Sequence, residues 1–491
     1  MDVWGLPWGF ALCKAQRAGQ RGVWAMNSLG ISAGNSVGRA SLWFSLGISL
    51  GFVALHLVVG AIIPLIGDES YYMLWASGLD WDYYDHPPMI AWMIHAGTLV
   101  FGASPFGVRV VALLGMGVAS LGVADIARSC RAAPSRAVWY FNLSLLVFGV
   151  GGFATPDAPS TLFWVISTAA ALRAVQGRGT GWWALAGLAA GLGIMSKFTN
   201  LFLGVGYLGW LLLSLRGRAS LRGGGPYLAV LAAVVPVVPL ILWNLSHDGL
   251  GFQRQFGRIA EGGYSARYLV EYLALLVLVP GPVVTVLALR GVSRGIGGAF
   301  LLWSVGPLLG YFAVHALHAQ VQANWLIPVS AAVAVLAAGV ASDRWHGWAV
   351  AAGAVLAFGL MGLAFNPVAA IGAQDNPPNQ TRGWPGLLAQ IPADGWIATT
   401  DYALTGQLYA RLPGRQVWAL TELQRYGFRG GFPAALCDAP GWMIEEDGAD
   451  HGGLFRTVGP VVTLTRDFGG QVLKTYHLRQ VQGVMAPGLC R

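Results

Sequence analysis

The feature that most limits how this chain folds is a series of apolar runs, each close to the length of a bilayer crossing. Trp43 to Ile66, Leu269 to Leu289 and Trp348 to Phe365 are clear examples, and roughly 20 mainly apolar residues let a helix traverse the hydrocarbon. Backbone groups in lipid must be bonded within the chain, so these runs are helices. Composition agrees: 11% of residues are charged and 55% hydrophobic, with a mean hydropathy of +0.57, where a soluble domain carries about a quarter charged residues.

The formal charge of +8 does not point to nucleic acid, because the basic residues gather on no single face. They sit in short connections between apolar runs, as the positive-inside rule requires. Cys13, Cys130, Cys437 and Cys490 are far apart and lack metal-ligand spacing, which argues against a zinc site. Only Cys437 and Cys490 fall in one oxidising compartment; whether they pair depends on a separation that sequence does not give. The first forty residues hold Lys14, Arg17, Arg21 and Arg39 without a clean apolar stretch or small-residue cleavage site. They are read as a cytoplasmic segment rather than a signal peptide, with a start at Met26 as the alternative.

Spans are expected at about 43–66, 105–127, 137–153, 157–173, 182–196, 199–215, 226–244, 268–289, 297–316, 324–341 and 347–366, about 11 crossings. With a cytoplasmic amino terminus, Arg128, Arg131, Arg136, Arg173, Arg178, Arg216, Arg218, Arg222, Arg290, Arg294 and Arg344 all fall inside. The short outer connections then hold only Lys197, Arg254, Arg258 and Arg267, which fits the same rule. The expected organisation is a cytoplasmic segment 1–42, a membrane domain 43–366 with a first outer loop 67–104, and a periplasmic domain 367–491. In that last part the apolar runs shorten to strand length (Gln416 to Leu420, Val461 to Leu464, Val472 to Tyr476) between Gly, Pro and Asp, as in a small α/β domain. The apolar segment Met89 to Phe101 is short for a crossing and is read as a helix in the outer interface. Gly187, Gly191 and Gly193 lie in a span, where close helix packing is their expected role.

The chemistry-bearing residues all fall on the outer side of this topology. The loop after the first span reads Asp68-Glu69-Ser70-Tyr71-Tyr72, continues through Trp75, Trp81, Asp82, Tyr83 and Tyr84, and ends Asp85-His86-Pro87-Pro88. Further outer motifs are Thr155-Pro156-Asp157-Ala158-Pro159, Ser196-Lys197-Phe198-Thr199, and Asn324-Trp325 with Pro328. Ionisable residues at membrane depth usually mark a site or pathway. In this order the motifs resemble the bacterial PMT-like, RgtA/B/C/D-like membrane glycosyltransferases of the GT-C class. Relatives of that family are the aminoarabinose transferase acting on lipid A and the protein O-mannosyltransferases.

The resemblance implies a polytopic transmembrane helical bundle that transfers a sugar from a polyprenyl-phosphate donor to an acceptor outside: lipid A, lipopolysaccharide core, another glycolipid or protein. It implies the bacterial inner membrane as location, and membrane lipids as neighbours. Asp68 matches the family's catalytic aspartate, the group that takes the acceptor's proton. Glu69 beside it is expected to orient it or the acceptor, and Asp157 is the second carboxylate of the cavity. Lys197 matches a lysine that offsets the charge of the leaving phosphate. Asp85 and His86 stand where the aminoarabinose branch reads Glu-Lys-Pro-Pro, so His86 is expected to meet phosphate when protonated or as a donor. Arg254 and Arg258, close enough to share a helical face, are further phosphate candidates, with anchoring to head groups as the alternative.

Tyr71 and Tyr72, with Trp75, Trp81, Tyr83 and Tyr84, suit either sugar stacking or an interfacial aromatic belt, and the belt is the expected role. Asn324 is expected to make a polar substrate contact, as are His315, His318 and Gln320, which have no matching carboxylate for a metal. No cofactor is expected, and a divalent metal requirement is left open. The rival function is a transporter or flippase of lipid-linked sugars, which calls for ionisable groups near the midplane and internal repeats.

Overall fold

The computed structural model describes residues 27–257, 263–295, 298–365 and 377–490. Helices dominate as far as residue 365, in the order α1 (Asn27–Ile62), α2 (Gly67–Ala76), α3 (Met89–Phe101), α4 (Pro105–Ser129), α5 (Pro134–Asn142), α6 (Leu145–Gly149), α7 (Asp157–Val175) and α8 (Gly181–Ile194). They continue as α9 (Leu201–Leu213), α10 (Leu215–Ser220), α11 (Gly225–Ser246), α12 (Leu250–Phe256), α13 (Ala266–Leu278), α14 (Pro282–Ser293), α15 (Gly298–His315), α16 (Val329–Ala338) and α17 (Asp343–Phe365).

Six helices among the described residues are long and apolar enough to cross a membrane, within α1, α4, α7, α11, α15 and α17. Their outward residues are large and bare, for example Trp43, Phe44, Leu245 and Val355, as expected where lipid replaces water. The other five expected spans are realised differently. The run 268–289 is α13 and α14, bent by 89° at the break between them, where Pro280 and Pro282 supply no amide donor and Gly281 has a φ of +90°. The run 137–153 is divided into α5 and α6, and the two interruptions satisfy one another. Leu145 N and Ser144 Oγ both donate to Val279 O, at 2.9 and 3.0 Å. Broken backbone at membrane depth is tolerated when it is buried in protein in this way. The remaining runs become the shorter helices α8, α9 and α16.

The glycines of α8 serve close packing. A Cβ at Gly187 would lie 1.9 Å from Ala229 O and one at Gly191 2.2 Å from Ala233 O, so α8 and α11 touch backbone to backbone. Gly193 instead faces Asn200, a contact that matters below.

The chain then forms a small sheet domain with α18 (Pro377–Gln380), α19 (Trp384–Leu388) and α20 (Tyr402–Arg411), and strands β1 (Trp396–Thr399), β2 (Val417–Ala419), β3 (Gly441–Glu446), β4 (Phe455–Val458), β5 (Val462–Phe468) and β6 (Gln471–Val484). The order is β2-β1-β3-β6-β4, with β5 also on β6. β1 is parallel to β2 and β3, while β6 runs antiparallel to β3, β4 and β5. The expected strands correspond to β2, β5 and the first half of β6. One face packs Ile397, Ile444 and Leu478 against Leu404 and Leu408 of α20; the other packs Trp396, Trp418, Met443 and Val481. Cys437 and Cys490 form a disulfide with their Cα atoms 5.9 Å apart.

This domain sits directly on α2. A Cβ at Gly406 would come within 2.5 Å of Tyr71 N and one at Gly67 within 3.0 Å of Ala403 Cβ, so α20 and α2 meet almost without side chains between them. Gln407 Nε2 donates to Leu65 O at 3.0 Å across the same junction.

Candidate active site

A cavity of about 860 Å³ opens where the connections at one end of the bundle meet the sheet domain. Asp68, Tyr71, Tyr72, Asp85, His86, Asp157, Lys197, Arg254 and Asn324 all line it. Residues separated by more than 250 positions are thereby brought around one space. Apolar groups from α1, α9, α15 and α17, among them Val59, Phe202, Phe312 and Leu360, complete the wall. The cavity is amphipathic, polar at the connections and apolar toward the helices.

Each connection is fixed by hydrogen bonds that follow from its sequence. Asp157 opens α7 immediately after the two-residue turn Thr155-Pro156, and a carboxylate in a first turn is favoured by the helix dipole. Lys197 precedes the short helical turn Phe198–Asn200 in extended conformation. Asn200 Oδ1 accepts from Ser160 Oγ at 2.9 Å, and Asn200 Nδ2 donates to Ser160 O at 3.1 Å. That clamp sets the two segments in register, and only glycine at 193 leaves room for it. Lys197 Nζ consequently reaches Asp157 Oδ1 at 2.6 Å, and Asn324 Nδ2 donates to Asp157 Oδ2 at 2.9 Å. Met89 N donates to Met195 O, tying the Asp-His-Pro-Pro segment to the lysine turn.

The four acidic residues of the region differ in how their charge is met. Glu69 is fully buried and forms a two-pronged ion pair with Arg109, at 2.7 and 2.5 Å. Asp157 has Lys197. Asp85 accepts from Arg425 and from the Tyr71 hydroxyl, with Arg254 Nε at 3.5 Å. Among the described residues Asp68 forms no ion pair; it accepts from the Tyr402 hydroxyl at 3.4 Å. Burial holds its carboxyl above the ordinary aspartate range, the Tyr402 hydrogen bond opposes this, and the charges of Glu69, Asp85 and Asp157 add to the rise.

The structure corrects two expectations from sequence. Glu69, expected at the catalytic centre, is absent from the cavity wall. Its oxygens are taken by Arg109, by Ile66 N at 3.2 Å and by Ala154 N at 2.9 Å, so it links α2 to the segment leading into Asp157. The aromatic belt is also not what forms. Trp75 and Tyr83 stack in the protein core with centroids 4.4 Å apart, Tyr71 and Tyr72 are buried at the cavity wall, and Trp81 is exposed. Tyr84 lies under the guanidinium groups of Arg254 and Arg425.

Arg258 lies outside the described residues. His315 packs with Tyr311 and Trp325, and Gln320 donates to Glu271 at 3.1 Å; neither lines the cavity. No cluster of three metal-ligating side chains occurs among the described residues. Sequence reasoning missed Arg109, Thr381, Tyr402 and Arg425, all on the cavity wall. Arg109 carried a legible signal, being a lone arginine inside an otherwise apolar span. The other three belong to the sheet domain and carried none.

Comparison with known proteins bears on this site. Residues 85–243 match the family described as dolichyl-phosphate-mannose-protein mannosyltransferase. The lipid A galacturonosyltransferase RgtD of Rhizobium johnstonii is 29% identical over 290 residues, covering 57% of this chain and 61% of that protein. The undecaprenyl phosphate-alpha-4-amino-4-deoxy-L-arabinose arabinosyl transferase of Edwardsiella ictaluri is 31% identical over 349 residues, covering 60% and 59%. The chain thus spans about three fifths of the length of these curated relatives. The crystal structure of ArnT from Cupriavidus metallidurans bound to undecaprenyl phosphate superposes with a TM-score of 0.58 at 14% identity, covering 91% of this chain and 99% of that one. The chain therefore shares its fold with that membrane protein, and along part of its length it is similar to these membrane glycosyltransferases.

Proposed function

We propose that the chain transfers a sugar from a polyprenyl-phosphate donor to an envelope acceptor, lipid A or a similar glycolipid, at the outer face of a bacterial inner membrane. The amino terminus is cytoplasmic and the sheet domain periplasmic in this reading, following the arginine distribution and about 11 passes. Its donor and acceptor classes rest on what the relatives are named for.

The observation that carries the reading is that, of four clustered carboxylates, Asp68 alone has no cation and faces the cavity. A base must be able to take a proton, and a carboxylate held in an ion pair is a poor one. The raised pKa brings Asp68 nearer to the working pH, which favours general-base catalysis. The acceptor hydroxyl oxygen attacks the anomeric carbon as its proton passes to Asp68. The bond from that carbon to the phosphate oxygen breaks, and polyprenyl phosphate leaves. Lys197 and Arg254, both on the wall, offset the charge that develops on the phosphate. Asp157 orients Lys197, while Asn324, Tyr71, Tyr72, Asp85 and His86 bound the space for the sugar. A transporter would need its ionisable groups along the spans, whereas these gather at helix ends.

The test is mass spectrometry of envelope lipids, polysaccharides and proteins from a deletion strain, complemented with wild type or with Asp68→Asn. A modification that disappears on deletion, returns with wild type and stays absent with the membrane-inserted variant is expected. Restoration by Asp68→Asn would remove the assigned base.

A further inference from the structure

The sheet domain lines the cavity with Thr381, Tyr402 and Arg425, and the setting of the last two differs from that of surface residues. Arg425 is gripped on one side by Glu422, whose Oε2 accepts from Nε at 2.8 Å and whose Oε1 accepts from Nη2 at 3.2 Å. Its guanidinium stands about midway between the rings of Tyr84 and Tyr402, 5.1 and 5.0 Å from their centroids, and its Nη1 donates to Asp85. Glu422 holds this grip from a left-handed backbone conformation, φ +47°. Such strain in a non-glycine residue persists only where surrounding structure enforces it, and it concentrates at functional sites. Tyr402 is the first residue of α20, a helix whose start is fixed by the Asp401 side chain accepting from Leu404 N at 2.8 Å. The backbone contact of Gly406 with Tyr71 then fixes how far α20 stands from α2.

We propose that the sheet domain is a working part of the reaction centre, with Tyr402 positioning the Asp68 base and Arg425 positioning Asp85. This rests on the reading of Asp68 given above and extends it to residues that no motif of the membrane domain contains. Asp68 is faced by Glu69 and Tyr72 on its own helix, Asp85 on the loop, Asp157 on α7 and Tyr402 on α20. The three carboxylates are each neutralised by a cation. Tyr402 donates the hydrogen bond that fixes how Asp68 points, and it opposes the rise that burial imposes on the Asp68 pKa. The hydroxyl stabilises the ionised carboxylate, so its removal raises the Asp68 pKa further, and the acid limb of the rate profile moves to higher pH.

The experiment follows the return of the missing envelope modification in the deletion strain after induction, at matched protein levels and over a series of medium pH values. Tyr402→Phe removes one hydroxyl and keeps the ring. Its initial rate near neutral pH is expected to fall about five- to tenfold, the worth of one hydrogen bond, with a larger loss in acidic medium. Arg425→Gln is expected to lose about tenfold or more, and Arg425→Lys to recover part of it, since lysine restores the charge without the planar fork. A Tyr402→Phe protein with wild-type rate and pH profile overturns the proposal, whether or not Arg425→Gln folds. A silent Tyr402→Phe beside an inactive Asp68→Asn leaves the function standing and removes only this inference. An active Asp68→Asn removes the function itself.

Discussion

Arg109 ties together the connections at the cavity end of the helical bundle. It is 1% exposed and Glu69 0%, and its guanidinium makes five hydrogen bonds: two to Glu69 and three to the carbonyls of Gly60, Ile63 and Pro64. Those carbonyls belong to the last turn of α1 and its exit, where backbone acceptors have no helical partner. Arg109→Gln strands a buried carboxylate and frees most of these acceptors; Glu69→Gln strands a buried guanidinium. Breaking one side of a buried pair costs about 3–5 kcal/mol, a large share of the roughly 5–15 kcal/mol that holds a domain folded. The double variant retains no buried charge, so its cost should fall below the sum of the singles by about 2–3 kcal/mol. Unfolding of the solubilised protein in mixed micelles, followed by circular dichroism, measures all corners of the cycle. Single variants that each lose less than about 1 kcal/mol, or costs that simply add, would falsify the view that this pair is a buried strut.

Three further outcomes are expected. Lys197→Ala leaves Asp157 with Asn324 as its remaining partner, and binding of undecaprenyl phosphate should weaken by about tenfold or more, the worth of a charge-assisted contact; unchanged affinity in a direct binding measurement would put the phosphate elsewhere. Asp82 is pushed up to about 7 by burial, against the hydrogen bonds from Asn244 and Tyr83 N. A carboxyl whose folded pKa is raised favours the fold while protonated, so this contribution is full below the unfolded value and lost as pH rises through about 7. Asp82→Asn should flatten the fall in stability across that window, and a pH–stability curve identical to wild type would count against it. Replacing both Cys437 and Cys490 by Ser opens a loop with a sequence separation of 53. That costs the sheet domain up to about 4 kcal/mol on the chain-entropy estimate, visible as earlier proteolysis of that domain with the helical part intact.

What was legible in the sequence divides along a physical line. A membrane span announces itself by length and polarity, so α1, α4, α7, α11, α15 and α17 could be read directly. Breaks within apolar runs could not, because the Val279 carbonyl is satisfied by Ser144 and Leu145, a contact across 135 residues. The nine candidate site residues that line the cavity were legible because each sits in a polar motif or connection interrupting apolar sequence. Glu69 was misjudged for the same reason, as its motif gives no hint that Arg109 lies 40 positions away and turns it inward. Tyr402 and Arg425 lie in a segment of ordinary soluble composition, where polar residues are unremarkable and only docking gives them meaning.

The charges around the cavity also say why the base should be a carboxylate without a cation. Lys197 and Asp157 neutralise one another, as do Arg109 and Glu69, and Asp85 is held by Arg425 with Arg254 near. In the proposed reaction the donor brings a phosphate diester with one negative charge, and its departure leaves a phosphate whose second ionisation, near ~6, adds another. When Asp68 takes the acceptor's proton it loses its own negative charge in the same event. Total charge in this enclosed space is then unchanged between reactants and products, and no ion needs to enter. A base already paired with an arginine would be harder to protonate, because the neighbouring cation favours the ionised carboxylate. In the proposed reaction Asp68, which forms no ion pair among the described residues, is therefore better suited than Glu69, Asp85 or Asp157 to take the proton as the phosphate departs.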